Sequence, residues 1–518
     1  MVPQRHYCIP PLSRVDLGAI LELIGDMKYF LLHAPRQSGK TSTLEALAER
    51  LNSRGEYRCV YVDLQGAHSL GDGVGKVIRH VLERFAEGAE DAFEDGSLYD
   101  LMDRVRARVS PPSVLKLFLK RWAAADPRPL VLLIDEFDAL PDLPLLSVVD
   151  QLRSGYRLRP GRFPQSVVLC GQHNVRDYRL RGLRGEGRDA RASPFNIVAK
   201  SLRLGDFSAD EVRALLGQHT EQSGQGFEPE AFERVWKLTR GQPWLVNVLC
   251  YQACFESAGG RDRSRPIRAA AIDAAKEELI VSRVTHLDQL AAKLREGPVR
   301  RVIEPLLAGS ERSAFSKWDL EYVRDLGLVA RDAPLRMANP IYREVVPREL
   351  TYAMQEGLAL DPAWYRDGEG GLDVPRLLGR FQEFFRQHSE HWTELFGYKE
   401  AGPHLVLQAF LQRVVNSGGR IEREYGLGRL RTDLLVEWPV PGGRLRRWVI
   451  ECKVVRPGRG YESAVAEAVE QAGEYMDRSG AGSGHAVVFD LRPSRTWEER
   501  IFRRDPRSGD LPVTVWGV

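Results

Sequence analysis

Short, nearly continuous apolar runs punctuate residues 1–200: Tyr29-Phe-Leu-Leu-His33, Cys59-Val-Tyr-Val-Asp63, Leu130-Val-Leu-Leu-Ile134 and Ser166-Val-Val-Leu-Cys170, with helix-like segments between them. This alternation predicts an α/β core, a parallel sheet with helices on both faces. From about Ser201 the strand signal stops and amphipathic helices take over. Ser208-Ala-Asp-Glu-Val-Arg-Ala-Leu-Leu-Gly217 opens on a Ser N-cap with Glu211 three residues later, a capping box, so a helical lid is expected over 201–275.

Residues 276–355 carry helices, then Leu326-Gly-Leu-Val-Ala330, a turn at Arg331-Asp-Ala-Pro334, Leu335-Arg-Met-Ala338 and a closing helix from Pro340, the pattern of a winged helix. A connector and one amphipathic helix, Val374 to Leu395, are expected over 356–397. The last unit, 398–518, reads as a second α/β domain. It opens with a helix from Pro403 to Asn416, a strand from Arg420 to Tyr425 and a turn at Gly426-Leu-Gly428. Strands around Asp433 and from Arg447 to Lys453 follow, joined by a turn at Pro439-Val-Pro-Gly-Gly443, then a helix from Ala464 to Met476 and a strand His485 to Asp490. There is no internal repeat, coiled-coil heptad or low-complexity tract.

Composition agrees with several folded domains. At roughly 150 residues per domain, the 518 residues correspond to three or four. The 74 basic and 71 acidic residues leave +3, so no general polycation attraction to nucleic acid exists and any DNA contact must be local. The six cysteines form no C-x-x-C pair and mostly sit in apolar runs, which fits buried thiols in a reducing compartment. No apolar leader opens the chain and no run approaches the ~20 residues of a membrane span, so a cytoplasmic protein without membrane association is expected.

The chemistry starts at Ala34-Pro35-Arg36-Gln37-Ser38-Gly39-Lys40-Thr41-Ser42, a loop between a strand and a helix. Loop N–H groups and the positive helix end cradle phosphate, Lys40 reaches the terminal phosphates of ATP, and the Thr41 hydroxyl ligates Mg2+. Ala34 replaces the first glycine of G-x-x-x-x-G-K-[ST], while the donors from Ser38 to Thr41 are kept. Leu130-Val-Leu-Leu-Ile-Asp135-Glu136 supplies the other half: Asp135 for magnesium, Glu136 to polarise the attacking water. Gln172-His173-Asn174 ends a further strand where a polar residue senses the γ-phosphate or caps the next element. The arginine-dense loop from Arg176 to Arg188 suits an arginine finger, a phosphate contact or a solvated surface, and no finger is assigned.

These stretches, with Thr239-Arg-Gly-Gln-Pro-Trp-Leu-Val-Asn247, resemble the prokaryotic AAA-type ATPases related to the origin-recognition and STAND classes, over about two thirds of the chain. The resemblance implies a P-loop core whose lid follows nucleotide state and moves the winged helix. Gly241-Gln-Pro243 also reads as a helix stop followed by Pro at N1.

In the last unit, two paired strands bring Asp433 close to Glu451 and Lys453, with Glu451 and Lys453 on one face and Cys452 on the other. Two carboxylates and a lysine at one sheet end suit phosphodiester cleavage with Mg2+, or Mn2+ in its place. Gln471 and Tyr475 share a helix face at i, i+4. The set resembles the PD-(D/E)XK nuclease superfamily, which implies catalytic roles for Asp433, Glu451, Lys453, Gln471 and Tyr475, with Asp433 and Glu451 holding metal. Thr432 stands where proline gives the motif its name, and an acidic fourth ligand is left open between Glu400 and none. Arg429, Arg431, Arg444, Arg446, Arg447, Arg456 and Arg459 surround the motif and suit a local basic rim for DNA.

The resulting expectation is an ATP-binding, ATP-hydrolysing switch controlling a metal-dependent DNA endonuclease, with prokaryotic defence or mobile-element biology as its setting. DNA is the expected partner, with a second copy or another protein as further partners. The alternatives are a non-catalytic nuclease-like domain that only binds DNA, and an ATPase acting on a protein through its winged helix.

Overall fold

The computed structural model describes residues 6–174, 194–281, 293–294, 296–307, 315–350, 365–368, 371–395, 401–415, 419–427, 430–440, 444–455, 458, 460–492, 494–508 and 511–518. The chain forms two compact units: Met1–Leu279 with Leu320–Pro340, and Ile280–Asp319 with Ile341–Val518. Among the described residues no helix is long and apolar enough to cross a membrane.

In the first unit, strands β1 (Tyr29–His33), β2 (Arg58–Asp63), β3 (Leu130–Asp135), β4 (Ser166–Gly171) and β5 (Val198–Arg203) form a five-stranded sheet in the order β2-β3-β4-β1-β5. Every neighbouring pair is parallel. The unbroken apolar runs follow from burial on both sides, because alternate residues of a strand point to opposite faces. Tyr29, Leu31, Leu132, Ile134, Val167 and Leu169 enter one core with Phe85, Phe118 and Trp122. Phe30, Leu32, Val131, Leu133, Val168 and Cys170 enter the other with Ile20, Ile24, Leu44 and Leu47. Each such fully buried leucine or isoleucine contributes roughly 1.5–3 kcal/mol of transfer free energy.

The helix Val74–Phe93 lies close against β2, and Gly88 sets that closeness: a Cβ there would stand 2.6 Å from the Tyr61 carbonyl oxygen and 3.0 Å from a Val62 methyl. Gly88→Ala gains about 1 kcal/mol of helix propensity. It also drives a methyl into rigid backbone, and overpacking of this kind costs about 1–3 kcal/mol. Net destabilisation is expected, lowering Tm in a thermal melt by about 2–4 °C per kcal/mol; a rise in Tm would show that the helix can move away at no cost.

The stretch expected as a lid contains helices Ala209–Ser223, Pro229–Thr239 and Pro243–Tyr251. Both bonds of the expected Ser208–Glu211 capping box are present, and the Gln242 side chain caps the Leu245 N–H at 2.6 Å. The winged-helix stretch expected over 276–355 is divided between the two units. Within Leu320–Pro340, where a wing is expected, the structure has an isolated antiparallel bridge, Val329 with Met337, flanked by Ala330 N–H to Arg336 O and Ala338 N–H to Leu328 O.

The second unit holds helices Val374–Leu395 and Ala401–Val415 and a mixed sheet. Its strands are β6 (Arg420–Leu427), β7 (Leu430–Val440), β8 (Arg444–Val455), β9 (Ser483–Asp490), β10 (Phe502–Arg504), β11 (Arg507–Ser508) and β12 (Leu511–Gly517). The sheet order is β10-β12-β9-β8-β7-β6, with β11 on β12. β6, β7 and β8 form an antiparallel meander; β9 runs parallel to β8, and the helix Tyr461–Ser479 makes the crossover. That helix presents Ala464, Ala468 and Ala472 to the sheet, small side chains at i, i+4 spacing that let it sit close above Leu435, Val449, Ala486 and Val488.

Candidate functional sites

The phosphate loop follows β1 at the carboxyl edge of the first sheet, where ligands of open α/β folds bind. Gly39 is left-handed at φ 90° and starts the helix Lys40–Ser53. Ala34 N–H donates to Gly171 O at 3.2 Å, and the buried Ser38 hydroxyl donates to Pro35 O at 2.7 Å, so the loop closes without the first glycine. Lys40, 6% exposed, rests its ammonium on Ala34 O at 3.2 Å and Pro35 O at 3.1 Å. Arg36 and Gln37 point to solvent and Ser42 is half-buried.

Asp135 ends β3, and its Oδ2 accepts the Thr41 hydroxyl at 2.6 Å. A hydroxyl and a carboxylate this close, beside a phosphate cradle, form the hard oxygen set magnesium requires, so the residues fit that ion. Glu136 is left-handed at φ 49°, and its N–H donates to Asp135 Oδ1 at 2.9 Å. Burial raises its carboxyl pKa, opposed by the nearby Lys40 ammonium and assisted by Asp135.

Several contributors carry no local motif. Arg14 donates to Ser38 O at 2.6 Å and to Gly205 O, with its guanidinium over the Phe207 ring at 4.7 Å. The Asp138 carboxylate accepts the Gln172 N–H, and the His173 ring stacks on Tyr322 at 5.3 Å. Leu320–Pro340 reaches the loop itself: Gly327 is left-handed at φ 76°, and a Cβ there would lie 2.6 Å from Pro35 Cγ. Asp325 pairs with Arg331 and lies 3.9 Å from His33 Nδ1. Burial, then the charges of Arg331 and Arg203, push the His33 pKa down to about 3, so the imidazole is neutral. The Arg176–Arg188 loop lies outside the described residues.

The second site is on β7 and β8. The register pairs Leu434 with Ile450 and Leu435 with Val449, which brings Asp433 opposite Glu451. Asp433 N–H donates to Glu451 Oε2 at 3.4 Å, and Asp433 Oδ2 accepts the Cys452 N–H at 2.9 Å. Lys453 Nζ donates to Glu451 Oε1 at 3.3 Å and Gln471 Oε1 at 2.6 Å, with Glu467 at 3.6 Å. Asp433, Glu451, Lys453 and Gln471 are therefore one connected group. Glu451 is 3% exposed, and burial, reinforced by Asp433 and opposed by Lys453, raises its pKa. A buried carboxylate facing a half-buried one is a hard oxygen donor set that a divalent cation would satisfy, so these residues fit Mg2+.

Tyr475, one turn beyond Gln471, is packed in the apolar core between its helix and the sheet. Glu400, Arg429, Arg456 and Arg459 lie outside the described residues, as does the side chain of Arg431. Arg444, Arg446 and Arg447 are exposed at the start of β8; Arg446 pairs with Asp367 at 3.0 Å and Arg447 with Glu437 at 2.8 Å. Gln408, on the helix before the meander, is buried, whereas His404 of the same helix stands beside Asp433. The spacing within that helix carried no signal for His404, since only the packing of the helix on the sheet brings it there.

Residues 26–178 match the family model described as AAA domain. No curated protein matches the chain. Among solved structures, the chain is similar to a Walker-type ATPase of Pyrococcus abyssi, at 15% identity and TM-score 0.45, over 63% of this chain and 93% of that one. It is similar to the RuvB Holliday junction branch migration motor of Thermotoga maritima at 13% identity and TM-score 0.33, over 64% and 95%. It is also similar to Cdc6p from Pyrobaculum aerophilum at 12% identity and TM-score 0.34, over 66% and 93%. With its phosphate loop, Thr41–Asp135 pair and parallel sheet, the segment 26–178 is an AAA-type P-loop ATPase domain.

Proposed function

We propose that the chain is an ATP-hydrolysing switch joined to a metal-dependent DNA endonuclease. The observation that carries the second half is the connected group Asp433–Glu451–Lys453–Gln471, set on a helix, three antiparallel strands, a helix and a parallel strand in that chain order. This order and these residues match what the resemblance to PD-(D/E)XK nucleases implies. A divalent cation between Asp433 and Glu451 would supply Lewis-acid stabilisation of the phosphate under attack. Lys453, held by Glu451 and Gln471, is placed to position a water and to offset charge gathering on phosphate oxygens. Arg444, exposed at the start of β8, offers positive charge to a DNA backbone, while Arg446 and Arg447 beside it are paired with Asp367 and Glu437.

In the ATPase half, Lys40 and the loop N–H groups bind the phosphates, Thr41 and Asp135 hold magnesium, and Glu136 orients the attacking water. Glu136→Gln keeps the shape and removes the charge. It is expected to leave ATP binding intact and lower turnover by about 10²-fold or more, the usual contribution of a positioned base; a phosphate-release assay beside a binding titration checks it, and unchanged turnover would remove Glu136 from this role.

The combined reading is tested by plasmid cleavage in Mg2+ with no nucleotide, ADP, ATP and a non-hydrolysable analogue. Cleavage that depends on metal and changes with nucleotide is expected. Absence of cleavage in all four states would leave a nucleotide-regulated binding protein whose second domain is not catalytic.

A further inference from the structure

Asp433 stands between two sets of neighbours. Glu451 and Lys453 lie on the face covered by the helix Tyr461–Ser479, while the Cys452 side chain points to the opposite face, where the helix Ala401–Val415 brings His404. One nitrogen of His404, one oxygen of Asp433 and the sulfur of Cys452 lie within 4.8 Å of one another. Cys452 is 3% exposed and in no disulfide, whereas His404 and Asp433 are half-buried and give the trio its opening. Two contacts set the geometry: the Cys452 N–H holds the Asp433 carboxylate at 2.9 Å, and the His404 ring lies parallel to Phe489, 6.0 Å between centroids at 28°.

We propose that His404, Asp433 and Cys452 form a binding site for a transition-metal ion of the zinc class, separate in chemistry from the magnesium pair that Asp433 makes with Glu451. Imidazole nitrogen, sulfur and one carboxylate oxygen are the borderline-soft set that zinc selects, whereas magnesium demands oxygen throughout. Tetrahedral bonds of about 2.0–2.3 Å place ligand atoms roughly 3.3–3.8 Å apart, so side-chain shifts of about 1 Å close the trio on an ion. Three protein ligands leave a fourth position for water, as in exchangeable rather than sealed zinc sites. On binding, the thiol proton leaves to solvent and the sulfur coordinates as thiolate.

The sharing of Asp433 has a regulatory consequence, which rests on the nuclease reading above: a carboxylate turned toward His404 and Cys452 is withdrawn from the Glu451 side. Zinc-class ions would then inhibit magnesium-dependent cleavage by drawing the shared Asp433 away from Glu451.

The test uses the full chain with Co2+ as the probe, because cobalt bound to thiolate gives a near-ultraviolet charge-transfer band. Wild type is expected to show the band with saturation at one ion per chain, and Cys452→Ser to lose it. His404→Ala should weaken Co2+ binding by more than about 100-fold, since removing even outer-shell partners of metal ligands costs 10–100-fold. Glu451→Gln should keep the band. No band in wild type, or a band that survives Cys452→Ser, overturns the site. Zn2+ inhibition of plasmid cleavage should be lost in Cys452→Ser and in His404→Ala, and its persistence in both overturns the sharing of Asp433. A wild-type protein that binds Co2+ through Cys452 and cleaves nothing would fail the nuclease reading while leaving the metal site standing.

Discussion

Lys40→Ala is expected to weaken ATP binding by about 10²-fold or more and to abolish hydrolysis. The ammonium is held almost out of water against the Ala34 and Pro35 carbonyls, aimed along the loop that its own helix closes. With ATP present it exchanges those carbonyls for phosphate oxygens, and a hydrogen bond between charged groups is worth about 1.5–3 kcal/mol each. Two such contacts therefore supply roughly 3–6 kcal/mol, or two to four powers of ten. The loop keeps its shape in the variant, because Ser38 still bonds Pro35, Arg14 still bonds Ser38, and Ala34 still bonds Gly171. Calorimetric titration with ATP gives the affinity, and a thermal melt without nucleotide separates lost binding from lost fold. Wild-type affinity in Lys40→Ala would count decisively against the phosphate-loop assignment.

The parts of this molecule that could be read along the chain are those fixed by local physics. Unbroken apolar runs gave β1, β3 and β4 because a strand covered on both sides tolerates no polar alternation, and the Ser208–Glu211 pair marked a helix start because a cap is satisfied within four residues. Val374–Leu395 was legible from its amphipathic repeat alone. What local pattern does not carry is the pairing of distant segments. The closing strand β12 runs parallel to β9, a partner no nearby turn specifies. Leu320–Pro340, which looks like the wing of a separate domain, belongs with the first unit, where Gly327 touches Pro35 and Tyr322 stacks on His173. The same limit separates the site residues. Asp433, Glu451 and Lys453 could be grouped because hairpin register and strand alternation bring them together, and Gln471 because a helix following a strand returns over it. Arg14 and His404 could not, since each reaches its site through the docking of a helix or loop on a sheet.

Glu451→Gln is expected to lower magnesium-dependent DNA cleavage by about 10³-fold or more while leaving the fold at least as stable. The two effects separate because the glutamate is unfavourable where it stands: buried, facing Asp433, its charge balanced only in part by Lys453. An amide of the same size keeps one acceptor oxygen for the Lys453 ammonium and gives up only the long 3.4 Å contact from the Asp433 N–H, and it removes the cost of burying a second negative charge. Stability therefore holds or rises slightly in a thermal melt without metal. Cleavage does not survive, because an amide oxygen carries no charge to bind the cation, and metal stabilisation of phosphate charge supplies several kcal/mol, each 1.36 kcal/mol of which is about tenfold in rate. A residue serving only packing would show the opposite pattern, with Tm changed and rate kept. Cleavage by Glu451→Gln at the wild-type rate would place the metal elsewhere, and loss of both rate and Tm would return Glu451 to a structural role; only rate lost with Tm retained assigns the buried carboxylate to the chemistry.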